Sequence, residues 1–73
     1  MSAESFGAYI KSARYAKGLT RSEVAEKAKI SRTQLRTIED GKCKVRVTTF
    51  VGIVDALGLD RIEAANVLAT EGE

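Results

Sequence analysis

The sequence predicts an all-α fold in which five short helices pack around one core. Apolar residues recur at helical spacing along most of the chain, and capping residues and glycines separate the apolar stretches. The alternation typical of a strand occurs only at Lys44–Val47. With 73 residues and no proline, the chain is expected to form one small domain over residues 1–73.

The first two helices are predicted from an apolar face and a capping box. Residues 3–17 form the first helix, which Gly18 can end in a left-handed conformation. Its apolar face comprises Phe6, Tyr9, Ile10 and Ala13. Thr20 and Glu23 have the spacing at which hydroxyl and carboxylate each satisfy a free amide, so the second helix begins at Arg21. The residues expected to be buried on it are Val24, Ala25 and Ala28.

A third helix is predicted to follow almost at once. Ser31 and Gln34 form a second capping box, so this helix runs from Arg32 to about Asp40 and stops at Gly41. Its buried side comprises Leu35 and Ile38.

The connection between the second and third helices is predicted to be a tight turn. Only Lys29–Ser31 separate them, and Ile30 can lie beneath both helices as an apolar plug. The pattern is therefore helix, short turn, helix.

Two more helices complete the predicted fold. The fourth runs from about Thr48 to Leu57 and stops at Gly58, although Gly52 within it weakens it by about 1 kcal/mol relative to Ala. Its expected buried residues are Phe50, Ile53, Val54 and Leu57. Asp60 opens the fifth, residues 61–69, whose apolar positions are Ile62, Ala65 and Ala69.

The composition argues against an enzyme. Histidine is absent and Cys43 is the only thiol, which excludes the usual zinc ligand sets and His-based catalysis. The adjacent acids Glu39 and Asp40 point about 100° apart on a helix and do not converge on one reacting group. We therefore expect no catalytic site, no cofactor, no metal and no small-molecule ligand.

Location follows from the same kind of absence. The N-terminus has no signal-peptide pattern, and no apolar run approaches the ~18 residues of a membrane span. A soluble protein of the cytoplasm, with no membrane partner, is expected.

Charge is distributed unevenly along the chain. Residues 1–46 hold eleven Lys and Arg against five acids, a net charge of +6, whereas residues 47–73 hold one Arg against five acids, a net −4. A solvated mixture of surface charges is the plainer explanation. The asymmetry instead favours a basic side that faces a polyanion.

Together these landmarks carry a family resemblance. They are Arg14, GLT at 18–20, VA at 24–25, AKIS at 28–31, Leu35, IEDGK at 38–42 and LG at 57–58. In this order and spacing the chain resembles, over about residues 6–68, the helix-turn-helix domain of the phage repressor and Cro-like family, a compact five-helix, lambda-repressor-like fold. The resemblance implies that the third helix lies in the major groove of double-stranded DNA.

The third helix then supplies the expected base contacts. At about 100° per residue, Thr33, Arg36 and Thr37 lie opposite the buried side, with Arg32 at the border. The resemblance implies base contacts from Arg32, Thr33, Gln34, Arg36 and Thr37. Gln34 stays ambiguous, because its amide can close the capping box or contact an adenine edge.

Other residues are assigned from the resemblance to the phosphates or to the structure. The expected phosphate contacts are Arg21, Ser31, Lys42, Lys44 and Arg46. Arg14 and Glu39 match a pair that joins the first and third helices by a salt bridge.

Two features depart from the family pattern. Lys29 stands where relatives often have Gly, and Val45 and Arg46 replace the Pro and Ser that often precede the fourth helix.

The single cysteine, Cys43, is expected to be an ordinary thiol, with a redox switch or an intersubunit disulfide as alternatives.

The expected function is that of a transcriptional regulator. One recognition helix discriminates too weakly to select a single site, so a homodimer on a pseudo-palindromic operator is expected. Candidate dimer residues are Leu59, Val67 and Leu68. A phage-type repressor that occludes a promoter fits best. A restriction-modification controller, an antitoxin using the acidic tail at residues 70–73, or a protein-interaction module are the alternatives.

Overall fold

A computed structural model describes residues 5–70, which form five α-helices and no strand. The helices are α1 (Phe6–Ala16), α2 (Arg21–Ala28), α3 (Arg32–Glu39), α4 (Val47–Leu57) and α5 (Arg61–Thr70). The all-α prediction is thus confirmed. Residues 44–47, where the sequence alternates as in a strand, form no strand: residues 44–46 are irregular and Val47 begins α4. The predicted helical residues 3 and 4, and residues 71–73 of the acidic tail, lie outside the described residues.

Most of the helices begin with a residue whose side chain caps a free amide of the first turn. The Ser5 hydroxyl accepts a hydrogen bond from the Ala8 amide at 3.1 Å, and α1 therefore starts at Phe6. Both bonds of the box between Thr20 and Glu23 form, at 3.2 and 3.0 Å. Asp60 Oδ1 accepts from the first-turn amides of α5, those of Ile62 and Glu63. The start of α4 differs, because its N-cap Arg46 makes no capping bond from its side chain and the helix begins at Val47.

The second capping box is only half formed, which corrects the prediction for Gln34. Ser31 Oγ accepts from the Gln34 amide at 3.0 Å, but the Gln34 side chain does not return a bond to the backbone of Ser31. A hydroxyl N-cap needs only the first of these bonds to satisfy a free amide of the helix. The Gln34 side chain is exposed and takes no part in the cap.

The turn between α2 and α3 is tight, as predicted. Lys29 has φ 61° and ψ 41°, the left-handed conformation that a side chain disfavours. Ile30 follows, half-buried against the core, and its amide donates to the Ala25 carbonyl at 2.9 Å. The glycines predicted to stop α1, α3 and α4 also have positive φ, between 65° and 72°.

The core lies between α2 and α4, with α1 and α3 packed beside them. Its buried apolar residues are Phe6, Ile10, Val24, Ala25, Ala28, Leu35, Ile38, Ile53, Val54, Leu57 and Ala64. The ring of Phe50, which is half-buried, lies 5.5 Å from that of Phe6. At the crossing of α2 and α4, a Cβ on Gly52 would lie 3.1 Å from the Ala28 carbonyl oxygen. Gly52 thus lets the two helices approach closely, which offsets its low helix propensity.

A second glycine brings α1 against the end of α3. A Cβ at Gly7 would overlap the carbonyl oxygen of Ile38 and lie 2.7 Å from that of Glu39. Any larger residue would push the two helices apart. Gly7 therefore fixes the distance across which α1 and α3 exchange side-chain contacts.

The apolar face predicted for α5 is wrong. Ile62, Ala65 and Ala69 are exposed, Ile62 to 75%. The core instead receives Ala64, which is buried, together with the half-buried Val67 and Leu68. Because α5 carries apolar residues on both sides, periodicity alone could not select the buried one.

Within residues 5–70, no helix combines the length and the apolar character that crossing a bilayer requires.

Replacing Lys29 by Gly should stabilise the protein by about 1 kcal/mol, because glycine adopts the left-handed conformation without the steric penalty. The measurement is urea unfolding followed by circular dichroism. Lys27→Gly, two residues earlier and inside α2, is the control and should destabilise by about 1 kcal/mol. A loss of stability on Lys29→Gly would show that the turn does not impose this conformation.

Candidate nucleic-acid interface

The α3 helix has one buried side and one polar, exposed side. Leu35, Ile38 and Glu39 are buried, so the helix is held firmly against the body of the protein. Four side chains are exposed and a fifth, Thr37, is half-buried. The exposed four are Arg32, Thr33, Gln34 and Arg36. The residues assigned to bases from the resemblance therefore lie on the outer side of one helix.

The two arginines on this side make at most one weak ion pair within the described residues. Arg36 is 72% exposed, and its Nε lies 4.0 Å from Asp40 Oδ2, a long contact between residues one turn apart. An exposed pair of this kind contributes little, so the guanidinium can leave it for a stronger partner. Arg32 forms no ion pair with the described residues.

The hydroxyl group of Thr37 is hydrogen-bonded within the helix. Thr37 Oγ1 donates to the carbonyl oxygen of Thr33 at 2.9 Å. Its proton is thus used inside the helix, which leaves a methyl group and two acceptor lone pairs. A methyl group is the complement of the thymine methyl in the major groove.

A buried ion network joins α3 to the two preceding helices. Arg14 of α1 donates from Nε to Glu39 Oε2 at 2.8 Å and from a terminal nitrogen to Oε1 at 3.2 Å. Their side chains are 5% and 1% exposed. Hydrogen bonding to Glu39 raises the pKa of Arg14, against the opposing effect of burial. Arg14 also donates to the Leu19 carbonyl at 3.1 Å and lies 4.6 Å from the ring centroid of Tyr15.

Arg21 is a third member of this network, which sequence reasoning missed. Its Nε donates to Glu39 Oε1 at 3.1 Å, while its side chain remains 36% exposed. Arg21 and Glu39 are eighteen positions apart in sequence, and no periodic pattern signals a contact over that distance. Arg21, which the resemblance assigns to a phosphate, is therefore also bonded to a buried carboxylate of the protein.

A basic groove of about 720 Å³ opens in front of the network. It is lined by Arg14, Tyr15, Gly18, Leu19, Thr20, Arg21, Ser22, Arg32, Thr33 and Arg36. Four of these residues are arginines and none is acidic. The groove thus joins the exposed side of α3 to the start of α2 and is suited to an anion.

The basic residues after α3 lie in the irregular connection to α4. Lys42, Lys44 and Arg46 are exposed, as is the free thiol of Cys43. Val45 between them is half-buried and packs on the core. The contact of Val45 holds the connection against the body of the protein, with the three basic side chains exposed on either side of it.

Further polar contacts join the other helices. Arg61 and Asp55 form a bidentate pair, at 3.1 and 2.7 Å, whose hydrogen bonds lower the pKa of Asp55. The Tyr9 hydroxyl donates to Glu63 across α1 and α5 at 3.3 Å. In residues 5–70, no three Cys, Asp or Glu side chains lie together as metal ligands.

The family comparison agrees with this geometry. The family model described as "Helix-turn-helix domain" matches residues 5–67. No curated protein sequence gives a significant match.

Solved structures of regulators are similar to the chain. The clp gene regulator ClgR from Corynebacterium glutamicum is 32% identical, with a TM-score of 0.75 over 92% of this chain and 76% of that chain. The restriction-modification controller protein C.AhdI from Aeromonas hydrophila is 25% identical, with a TM-score of 0.77 over 81% and 89%. The master regulator for biofilm formation SinR, solved in complex with DNA, is 26% identical, with a TM-score of 0.76 over 82% and 97%.

Replacing Arg14 by Ala should destabilise the protein by about 3–5 kcal/mol, because Glu39 would keep its buried charge but lose its main partner. Urea unfolding followed by circular dichroism measures the loss. Arg61→Ala breaks an exposed pair and should leave the unfolding midpoint nearly unchanged. Equal effects of the two variants would contradict a special role for the buried network.

Proposed function

The chain belongs to the helix-turn-helix domain family, and from that membership we propose that it is a sequence-specific DNA-binding transcriptional regulator. The observation that carries the proposal is the polar, exposed side of α3, held by a buried opposite side and continuous with a groove that four arginines line. SinR, a structural relative, is solved with DNA, which supports the same polyanion as the partner here.

The α3 helix enters the major groove and supplies the base contacts. Arg32 and Arg36 can each donate two hydrogen bonds to O6 and N7 of a guanine. The methyl groups of Thr33 and Thr37 can pack on thymine methyls. Gln34, which takes no part in the helix cap, is available to an adenine edge.

Phosphate contacts flank these bases on both sides. Arg21 and Ser31 stand at the starts of α2 and α3, and Lys42, Lys44 and Arg46 follow α3. Positive charge on both sides of the groove sets the register of the helix and supplies the affinity that is independent of sequence.

The regulator acts as a homodimer. One helix that contacts three or four base pairs gains about 1–3 kcal/mol per good contact, too little to select one operator among ~10⁶ competing sites. The candidate residues Leu59, Val67 and Leu68 are half-buried against the core, and the exposed Ile62 adds apolar surface on α5. A two-fold dimer would contact half-sites about one helical turn apart.

The biological role is that of a repressor of the phage type, acting in the cytoplasm without catalysis. The similarity to C.AhdI favours a restriction-modification controller as the second candidate. The antitoxin alternative rests on the acidic tail, of which residues 71–73 lie outside the described residues.

Arg32→Ala and Lys44→Ala should separate base contacts from phosphate contacts. Arg32→Ala should lose about 1–3 kcal/mol on the preferred operator and relax base preference at one position. Lys44→Ala should weaken binding to all duplexes about equally and reduce the slope of log affinity against log salt by about one. Selection from a random duplex library followed by salt titrations measures both. Absence of binding to any duplex would instead favour a protein-interaction module.

Ile62→Glu should weaken the dimer, because it places a charge on the exposed apolar side of α5. Analytical ultracentrifugation should then show more of the 7.9 kDa monomer than for the wild type. Val47→Glu, an equally exposed apolar position on α4, is the control and should leave the mass unchanged. A wild-type protein that is monomeric both free and on DNA would remove the dimer from the proposal.

A further inference from the structure

Arg21 lies where the buried network meets the basic groove. Its Nε is bonded to Glu39 Oε1, yet neither of its terminal nitrogens makes a hydrogen bond with the described residues. The same side chain lines the groove with Arg32 and Arg36. Nε of the Arg21 guanidinium is thus bonded to the protein, and its two terminal nitrogens remain available to an external acceptor.

The charges of the network leave it with an excess of one positive charge. Glu39 is the shared acceptor of two guanidiniums, and Arg14 contacts both of its oxygens. Arg14 is buried, whereas Arg21 is partly exposed, so the uncompensated charge lies on the side facing the groove. Since no acidic residue lines that groove, an anion from outside is the complementary partner.

We infer that Glu39 is a positioning residue for DNA binding, which holds Arg21 by Nε so that its two terminal nitrogens grip a single backbone phosphate. This inference rests on the proposed function and assigns a binding role to a carboxylate that cannot itself contact DNA. Arginine presents its donors in a rigid fork, so fixing Nε also fixes the direction of the other two nitrogens. A side chain that is already ordered loses less conformational entropy when the phosphate arrives.

The carboxylate is itself well placed for this role. Arg14, which fixes Glu39, is bonded to the Leu19 carbonyl and packs on Tyr15, and Gly7 sets the approach of α1 to α3. The position of Glu39 Oε1 is therefore determined by α1, by α3 and by the connection between α1 and α2 that contains Leu19. The position of Arg21 follows from it.

Arg21→Lys distinguishes a held fork from a simple positive charge. Lysine keeps the charge, but its single ammonium group cannot bond Glu39 through one nitrogen and offer two others to a phosphate. Loss of one charge-assisted hydrogen bond corresponds to about tenfold in affinity. Arg21→Lys should therefore bind the selected operator about tenfold more weakly with an unchanged salt slope.

Two further variants complete this comparison. Arg21→Gln should bind at least as weakly as Arg21→Lys and reduce the salt slope by about one. Arg61→Lys, the same exchange in an exposed ion pair outside the groove, should bind like the wild type. Wild-type affinity for Arg21→Lys would overturn the inference while leaving DNA binding intact. Failure of the wild type to bind any duplex would remove the proposed function and the inference together.

Glu39→Gln tests the positioning directly, measured under conditions in which circular dichroism shows it to be folded. In this background Arg21→Lys should change the affinity of the folded protein by less than about twofold, because the glutamine amide holds the guanidinium more weakly. A purely structural role for Glu39 would leave the tenfold ratio intact, and that result would overturn the inference. If Glu39→Gln does not fold, the comparison of Arg21→Lys with Arg21→Gln still decides between a fork and a charge.

Discussion

The structure depends on one buried carboxylate. Glu39 accepts hydrogen bonds from Arg14 of α1 and Arg21 of α2, while it belongs to the helix that carries the exposed polar side. Three helices therefore meet at a directional contact, whereas the apolar core around Val24, Ile38 and Val54 is non-directional. Apolar packing brings the helices together, and the ion network determines how α3 is rotated relative to its neighbours.

The polar side of α3 follows from that anchoring. A short helix of eight residues with only two large buried apolar side chains would be marginal by itself. The cap from Ser31 and the bonds to Glu39 support its two ends, so the residues between them need not contribute to packing. Arg32, Thr33 and Arg36 are free to be selected for what they contact outside the protein.

Local chemistry could be predicted from the sequence, and contacts between distant residues could not. The capping box at Thr20 and the glycines that end α1, α3 and α4 were confirmed because each depends on residues within one turn. The buried side of α5 was assigned wrongly, since apolar residues occur on both sides of that helix and only its packing against α1 and α4 selects Ala64. The bond from Arg21 to Glu39 and the close approach at Gly7 depend on tertiary geometry, which no periodicity encodes.

The contact that joins α1, α2 and α3 is ionic, although an apolar contact could join them as well. Replacing a buried ion cluster by apolar side chains of similar volume is often neutral or stabilising, so the need for stability does not explain three charged residues at this position. An apolar joint would pack equally well, but it would leave no guanidinium fixed at the edge of the groove. The shared carboxylate holds one arginine inside the fold and directs the other outward. Under the proposed function, this ionic contact is therefore part of the surface that faces DNA, although its central atoms are buried.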